Sequence, residues 1–116
     1  MKRIPTLLFP LVLASGMAFA ANPDLEAGKA KAVVCQACHG TDGNAGVDPQ
    51  YPRLAGQYAD YIAHSLHEYK EGRRTNAIMQ GFVATLSDDD ITNIAAYFAS
   101  LPDAKLTNIE GRVQGD

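Results

Sequence analysis

The chain has 116 residues, ten lysines and arginines, thirteen aspartates and glutamates, and a formal net charge of −3 at pH 7. This length allows one small domain, and the acidic balance argues against binding of nucleic acid through its phosphates, which needs clustered basic side chains. A chain this short buries a modest core, so we expect it to need a staple such as a disulfide, a metal or a cofactor.

The first twenty residues have the pattern of a secretory signal peptide. A short basic head precedes the apolar run "IPTLLFPLVLA", and Ala18-Phe19-Ala20 supplies the small-x-small pattern that signal peptidase recognises. Cleavage before Ala21 would leave 96 residues and a formal net charge of −5. Two prolines interrupt the apolar run, which is also too short to span a bilayer. The sequence therefore predicts a soluble protein exported to the periplasm, with no stable membrane insertion.

Three amphipathic helical patterns follow, and strand signals are nearly absent. The first pattern covers about 24–34 and ends at Cys35, and the second covers about 57–71. The third follows Ser87, a predicted N-cap with Asp90 in the capping-box position, and carries an apolar face from Ile91 to Leu101. The patterns predict an all-α domain with three main helices.

Long connections at 39–56 and 72–86 separate the predicted helices. Met79 lies in the second connection, where we expect irregular backbone beside Gly81. Loops of this length in so small a domain indicate that they wrap something. The polar tail after Pro102 is expected to be loosely held. The predicted regions are thus a signal peptide at 1–20, a domain at 21–102 and a tail at 103–116.

The stretch "CQACHG" at 35–40 contains both cysteines of the chain. A disulfide between them would close a very small loop and add little stability. A thioredoxin-like redox pair would begin a helix that follows a strand, whereas here a helical pattern precedes the motif. A zinc site could recruit His64 and His67, but their spacing departs from the zinc-finger template.

Covalent haem attachment is the interpretation that the motif favours. Cys-x-x-Cys-His is the recognised attachment pattern, in which two thioether bonds need cysteines one helical turn apart. The following residue then projects its imidazole under the iron. This interpretation uses both Cys35 and Cys38 and makes His39 an iron ligand. It also agrees with export and supplies the cofactor that so small a core is expected to need.

The second axial ligand decides the chemistry of such a haem. Cleavage of the signal peptide removes two of the three methionines and leaves Met79. Filling a gap in the core is the alternative role for this side chain. His64 and His67 are rival ligands, although both fall away from the apolar stripe of the second helix. We predict Met79, because His/Met is a recognised ligand pair.

The motifs together resemble the class I c-type cytochromes, especially small bacterial carriers related to single halves of dihaem periplasmic cytochromes. The resemblance rests on "AGKAKAVVCQACHGTDGN", "YPRLAGQYADYI", "RTNAIM" and "LSDDDITNIAAYFASL", which cover most of the predicted mature chain. It implies an all-α cytochrome c fold, with three main helices and long loops wrapped around one covalent haem c.

The resemblance also implies roles for single residues. Cys35 and Cys38 become the thioether anchors, His39 the proximal ligand and Met79 the distal ligand. Further residues of the haem surroundings are Pro52, whose carbonyl would accept the other ring N–H of the histidine, and Leu54, which would pack on the haem face. The expected close crossing of the terminal helices involves Gly28 and Tyr97.

Two features depart from the family pattern. The chain has no tryptophan, so another side chain must hold the haem propionate that an indole anchors in some relatives. The candidates by position are Tyr58, Arg73, Arg74 and Asn76. The chain also ends where a dihaem relative would begin its second half, which implies a single haem.

The expected function is periplasmic one-electron transfer, with no catalytic residue and no enzymatic activity. The expected partners are redox proteins, such as a membrane cytochrome complex, a terminal oxidase or a dehydrogenase. A haem subunit of a larger flavin- or molybdenum-dependent enzyme is the first alternative. A gas-binding haem protein with an open sixth position is the second.

Overall fold

The computed structural model describes residues 22–44, 46 and 48–106. Within these ranges the chain forms four helices, α1 (Leu25–His39), α2 (Ala59–Lys70), α3 (Ala77–Val83) and α4 (Asp88–Ser100), and no strand. The predicted all-α class is confirmed. The predicted signal peptide and positions 107–116 of the predicted tail lie outside the described residues.

Helix α1 is longer than the sequence pattern indicated. Its N-cap is Asp24, whose side chain accepts hydrogen bonds from the backbone of Glu26 and Ala27. The helix continues through both cysteines because no glycine or proline interrupts 29–39, and it ends where Gly40 adopts a φ of 91°. The Cys-x-x-Cys-His motif therefore forms the last turns of a helix rather than the start of a loop.

Helix α3 is the element that the sequence pattern missed. Asn76 caps it by accepting hydrogen bonds from the backbone of Ile78 and Met79, both at 3.1 Å. The expectation that Met79 lies in irregular backbone is therefore wrong. Seven residues are too few to display a helical period, and Gly81 lowers the helix propensity further.

Helix α4 is the centre of the core and packs against both α1 and α2, while α3 packs against α2. Gly28 allows the close approach of α1, because a Cβ there would collide with the backbone carbonyl of Asn93 and lie 3.0 Å from Tyr97 Cβ. The predicted crossing of Gly28 and Tyr97 is confirmed. The buried core cluster consists of Ala32, Ile62, Leu66, Val83, Ile91, Ile94, Ala95, Tyr97 and Phe98.

The start of α4 has the predicted capping box. The Ser87 hydroxyl accepts from the backbone N–H of Asp90 at 3.1 Å, and the Asp90 carboxylate accepts from the backbone N–H of Ser87 at 3.0 Å. None of the helices in the described part of the chain is long and apolar enough to cross a membrane.

The described part of the tail is held more firmly than expected. The side chain of Asn44 bonds to the backbone of Asp103 and Lys105, and Ala104 packs against Gly56. The expectation of a loosely held extension is therefore wrong for positions 103–106.

Candidate functional site

A cavity of about 660 Å³ lies between α1, α2, α3 and the connection from α1 to α2. Its walls include aliphatic and aromatic side chains from α2 and α4, some of which also belong to the core cluster. All six predicted site residues border this cavity, namely Cys35, Cys38, His39, Pro52, Leu54 and Met79. Residues from three separate stretches of sequence therefore meet at one site.

Helix α1 presents both thiols to the cavity. Cys35 and Cys38 are three positions apart, which puts them on the same helical face, and both are free and half-buried. Burial raises the pKa of the Cys35 thiol, and the nearby Cys38 adds to the rise. A thiol with a raised pKa is mostly protonated and a weak nucleophile at neutral pH, so Cys35 lacks the lowered pKa typical of the reactive thiol in thioredoxin-like motifs.

His39 ends α1 and is 6 % exposed. Its Nδ1 atom lies 2.8 Å from the carbonyl oxygen of Pro52. Because a carbonyl only accepts, this contact requires the proton on Nδ1 and leaves the lone pair of Nε2 for another partner. The Tyr51 ring meets the imidazole edge-on at 6.0 Å between centroids. The imidazole is thus held in one tautomer and oriented from two sides.

Met79 approaches the same cavity from α3. Its side chain is half-buried and packs against the core cluster. The rival histidines of α2 do not border this cavity. His64 is exposed and pairs with Glu68 at 3.3 Å, while His67 faces Asp88 at 3.9 Å. Of the three candidate second ligands, Met79 alone lies at the cavity.

The four side chains that were candidates to hold a propionate carboxylate divide into two that border the cavity and two that do not. Tyr58 is 79 % exposed and Arg73 pairs with Glu71, and neither borders the cavity. Arg74 and Asn76 do border it; the Asn76 oxygen caps α3, so its uncharged Nδ2 group is what it could offer a carboxylate.

Arg74 is held in place at the cavity by two contacts. Its Nη1 donates to the hydroxyl of Ser65 at 3.2 Å, and its guanidinium carbon lies 4.9 Å from the centroid of the Tyr69 ring. A positioned guanidinium is well suited to bind a carboxylate.

Sequence reasoning missed several residues at this site. Tyr51 and Arg53 both line the cavity, and Arg53 donates to backbone carbonyls of Asn44 and Lys105. These contacts join segments far apart in the chain, and no local sequence signal marks them.

The donor set fits a covalently bound haem. Two free thiols on one helical face, an imidazole with its Nε2 lone pair uncommitted and a thioether all border one largely apolar cavity. It fits zinc poorly, since no group of three histidine, cysteine or acidic side chains in 22–44, 46 and 48–106 is arranged so that it could hold a metal ion.

Comparisons with known proteins agree with this chemistry. The chain is 50% identical over 99 residues to a cytochrome c4 of Pseudomonas aeruginosa, covering 85% of this chain and 48% of the relative. It is 34% identical over 102 residues to the cytochrome subunit of sulfide dehydrogenase of Chlorobaculum tepidum, covering 79% of this chain and 91% of that subunit.

A solved structure has the same fold. The reduced recombinant cytochrome c4 from Pseudomonas stutzeri matches with a TM-score of 0.64 and 42% identity, over 69% of this chain and 46% of that chain. This chain thus spans about half the length of the cytochrome c4 relatives that it matches. The family model for cytochrome c matches residues 25–102. The resemblance to class I c-type cytochromes is confirmed, and the chain belongs to the cytochrome c family.

Proposed function

We propose that this protein is a periplasmic one-electron carrier with a single haem c, bound covalently through Cys35 and Cys38 and ligated by His39 and Met79. The observation that carries the proposal is the cavity wall where both thiols, the oriented imidazole and Met79 meet. When bound, the haem supplies a one-electron ferrous–ferric couple, and His/Met ligation favours its reduced form.

The chain's own residues would keep the site nearly unchanged during electron transfer. His39 is fixed by its hydrogen bond to Pro52, and Met79 is fixed on a capped helix. Both ligands can stay in position as the charge changes, so little reorganisation opposes the transfer. Leu54 and the core side chains that border the cavity exclude water and favour the less charged, reduced state.

The rim of the cavity offers a surface for brief docking of redox proteins. Val34, Ile78 and Phe82 border the cavity and are also 52%, 53% and 44% exposed. The net charge of −5 in the predicted mature chain favours a partner with a basic docking surface. A membrane cytochrome complex, a terminal oxidase or a dehydrogenase would be suitable partners.

Arg74 is the best-placed partner for a haem propionate among the four candidates. It is the one charged residue of the four that borders the cavity, and contacts with Ser65 and Tyr69 position its guanidinium before any ligand arrives. Such preorganisation reduces the entropy that would be lost on binding a carboxylate.

The optical spectrum of the purified oxidised protein tests the ligand assignment. We expect a weak far-red band from sulfur-to-iron charge transfer, which disappears in Met79→Ala and persists in His64→Ala and His67→Ala. Absence of the band from the unmodified protein would overturn the assignment of Met79. Carbon monoxide binding by the ferrous unmodified protein at neutral pH would indicate an open sixth position instead.

Extraction with acidified acetone tests the covalent attachment. Haem should remain with the wild-type polypeptide, and Cys35→Ala or Cys38→Ala should each weaken that retention. Ser65→Ala, which removes a hydroxyl from the same cavity without touching a thiol, should retain haem like wild type. Mature wild-type protein without any haem would contradict the entire proposal.

A haem subunit of a larger dehydrogenase is the second candidate function. The relative named as the cytochrome subunit of sulfide dehydrogenase favours it, because this chain covers 91% of that subunit. Size-exclusion chromatography of the periplasmic extract separates the two candidates. A haem peak at the mass of the free chain supports the carrier, and co-elution with a catalytic subunit supports the alternative.

A further inference from the structure

Asn44 is a buried polar residue, 3 % exposed, a short distance along the chain from His39. Its side-chain Nδ2 donates to the carbonyl of Asp103 at 3.1 Å, and its Oδ1 accepts from the backbone N–H of Lys105 at 2.9 Å. The amide therefore pairs with the backbone of the segment that follows α4, much as a neighbouring strand would. Within this segment Asp103 has a φ of 58°, in the left-handed region that non-glycine residues seldom adopt.

Arg53 closes a ring of hydrogen bonds with the same two segments. Its Nε donates to the backbone carbonyl of Asn44 at 2.8 Å, and its Nη1 donates to the carbonyl of Lys105 at 3.2 Å. Asn44, Lys105 and Arg53 are thus each bonded to the other two. A closed ring of this kind resists displacement of any one member.

The ring lies beside the hydrogen bond that orients the imidazole. Pro52, whose carbonyl oxygen lies 2.8 Å from His39 Nδ1, immediately precedes Arg53. On its other side, Leu54 and Ala55 donate their backbone N–H groups to the carbonyl of Gly43, at 2.7 and 3.0 Å. The chain around Pro52 is therefore held from both directions by positions 43 and 44.

We propose that Asn44 is a positioning residue for the iron ligand His39 and thereby sets the reduction potential of the haem. This inference rests on the proposed function. A firm hydrogen bond to Nδ1–H makes the imidazole a stronger donor, which stabilises ferric iron more than ferrous iron. Loss of the Asn44 side chain lets the Pro52 carbonyl move, weakens that bond and shifts the potential upward.

Redox titration of the full-length holoprotein carrying Asn44→Ala tests the inference. We expect the midpoint potential to rise above the wild-type value. Solvent exchange of the His39 Nδ1–H proton, followed by NMR, should become faster. Asn93→Ala is the matched control, because its side chain also joins distant segments, accepting from the N–H of Asp24 at 2.8 Å, but does so away from the cavity. It should lower stability and leave the potential unchanged.

A second variant keeps the inference testable if Asn44→Ala does not fold. Arg53→Lys keeps the positive charge beside the cavity, replaces the guanidinium that makes two bonds of the ring, and should shift the potential in the same direction. Suppose instead that Asn44→Ala folds and loses stability, yet keeps the wild-type potential and proton exchange rate. That outcome would show that Asn44 has only a structural role and would overturn the inference. An unchanged potential in Arg53→Lys would likewise overturn the inference when Asn44→Ala is unfolded. Absence of haem from the wild-type protein would instead overturn the proposed function, and this inference with it.

Discussion

Gly28 lies at a close contact between α1 and α4 that leaves no room for a side chain. An added Cβ would collide with the backbone of Asn93, which cannot rotate away as a side chain could. Gly28→Ala gains about 1 kcal/mol in helix propensity, but separating the two helices opposes this gain. We expect a net loss of about 1–3 kcal/mol in the free energy of unfolding, measured by urea denaturation of the holoprotein.

Gly81→Ala is the matched control for this prediction. Gly81 also lies within a helix, but its Cβ position meets no atom within 4 Å. We expect this substitution to be neutral or to stabilise the protein by up to about 1 kcal/mol through helix propensity alone. Equal stability of Gly28→Ala and Gly81→Ala would contradict the close crossing of α1 and α4.

At the level of elements, the capping box of α4 links stability to pH. The backbone N–H of Ser87 is the main cause that lowers the pKa of Asp90 below its ordinary value of 3.8, and Lys31 contributes. A lowered pKa in the folded state means that the carboxylate contributes its full stability above pH 3.8. The contribution is lost as the pH falls from there through the folded pKa, where the folded protein also takes up the proton.

Asp90→Asn should therefore lower the free energy of unfolding at neutral pH and flatten its decline in the acid range. Chemical denaturation at a series of pH values checks both effects. Asp89→Asn removes an equal charge from the same first turn but leaves the capping bonds in place. If the two variants show the same pH profile, the capping bonds do not determine the acid sensitivity of α4.

The helices also differ in how well the local sequence predicts their bounds. Helix α4 was predicted nearly to its ends, because a capping box and a regular apolar face are both local signals. Helix α3 was missed because it is short and is stabilised by packing on α2 and a single cap. The extension of α1 runs past its amphipathic pattern, and no glycine or proline before Gly40 marks where the helix ends.

The candidate site shows the same division between local and distant signals. The motif alone identified Cys35, Cys38 and His39. Met79 followed from its being the methionine left after signal-peptide cleavage, and the resemblance supplied Pro52 and Leu54. Asn44 and Arg53 were not identified, because their contacts depend on a tail segment 52–61 positions farther along the chain. Such pairings depend on how the backbone folds, so local sequence patterns do not predict them.

For the whole molecule, the cavity is continuous with the core rather than separate from it. Ile62, Leu66, Ile94 and Phe98 belong to the buried cluster and also border the cavity. Without a bound group, these apolar side chains would be in contact with water that enters through the open rim of the cavity. The bound haem would therefore complete the core as well as carry the electron.

The protein freed of haem should accordingly lose its cooperative fold. We expect the double variant Cys35→Ala/Cys38→Ala, after extraction of haem, to have a weaker far-UV helical signal, a broad thermal transition and increased binding of a hydrophobic dye. The physical reason is that water would otherwise contact the apolar cavity wall, and four short helices cannot close over it without moving. Wild-type holoprotein passed through the same extraction should keep its haem and a sharp transition. A sharp transition with undiminished helicity in the haem-free double variant would show that α1, α2 and α4 form a sufficient core on their own.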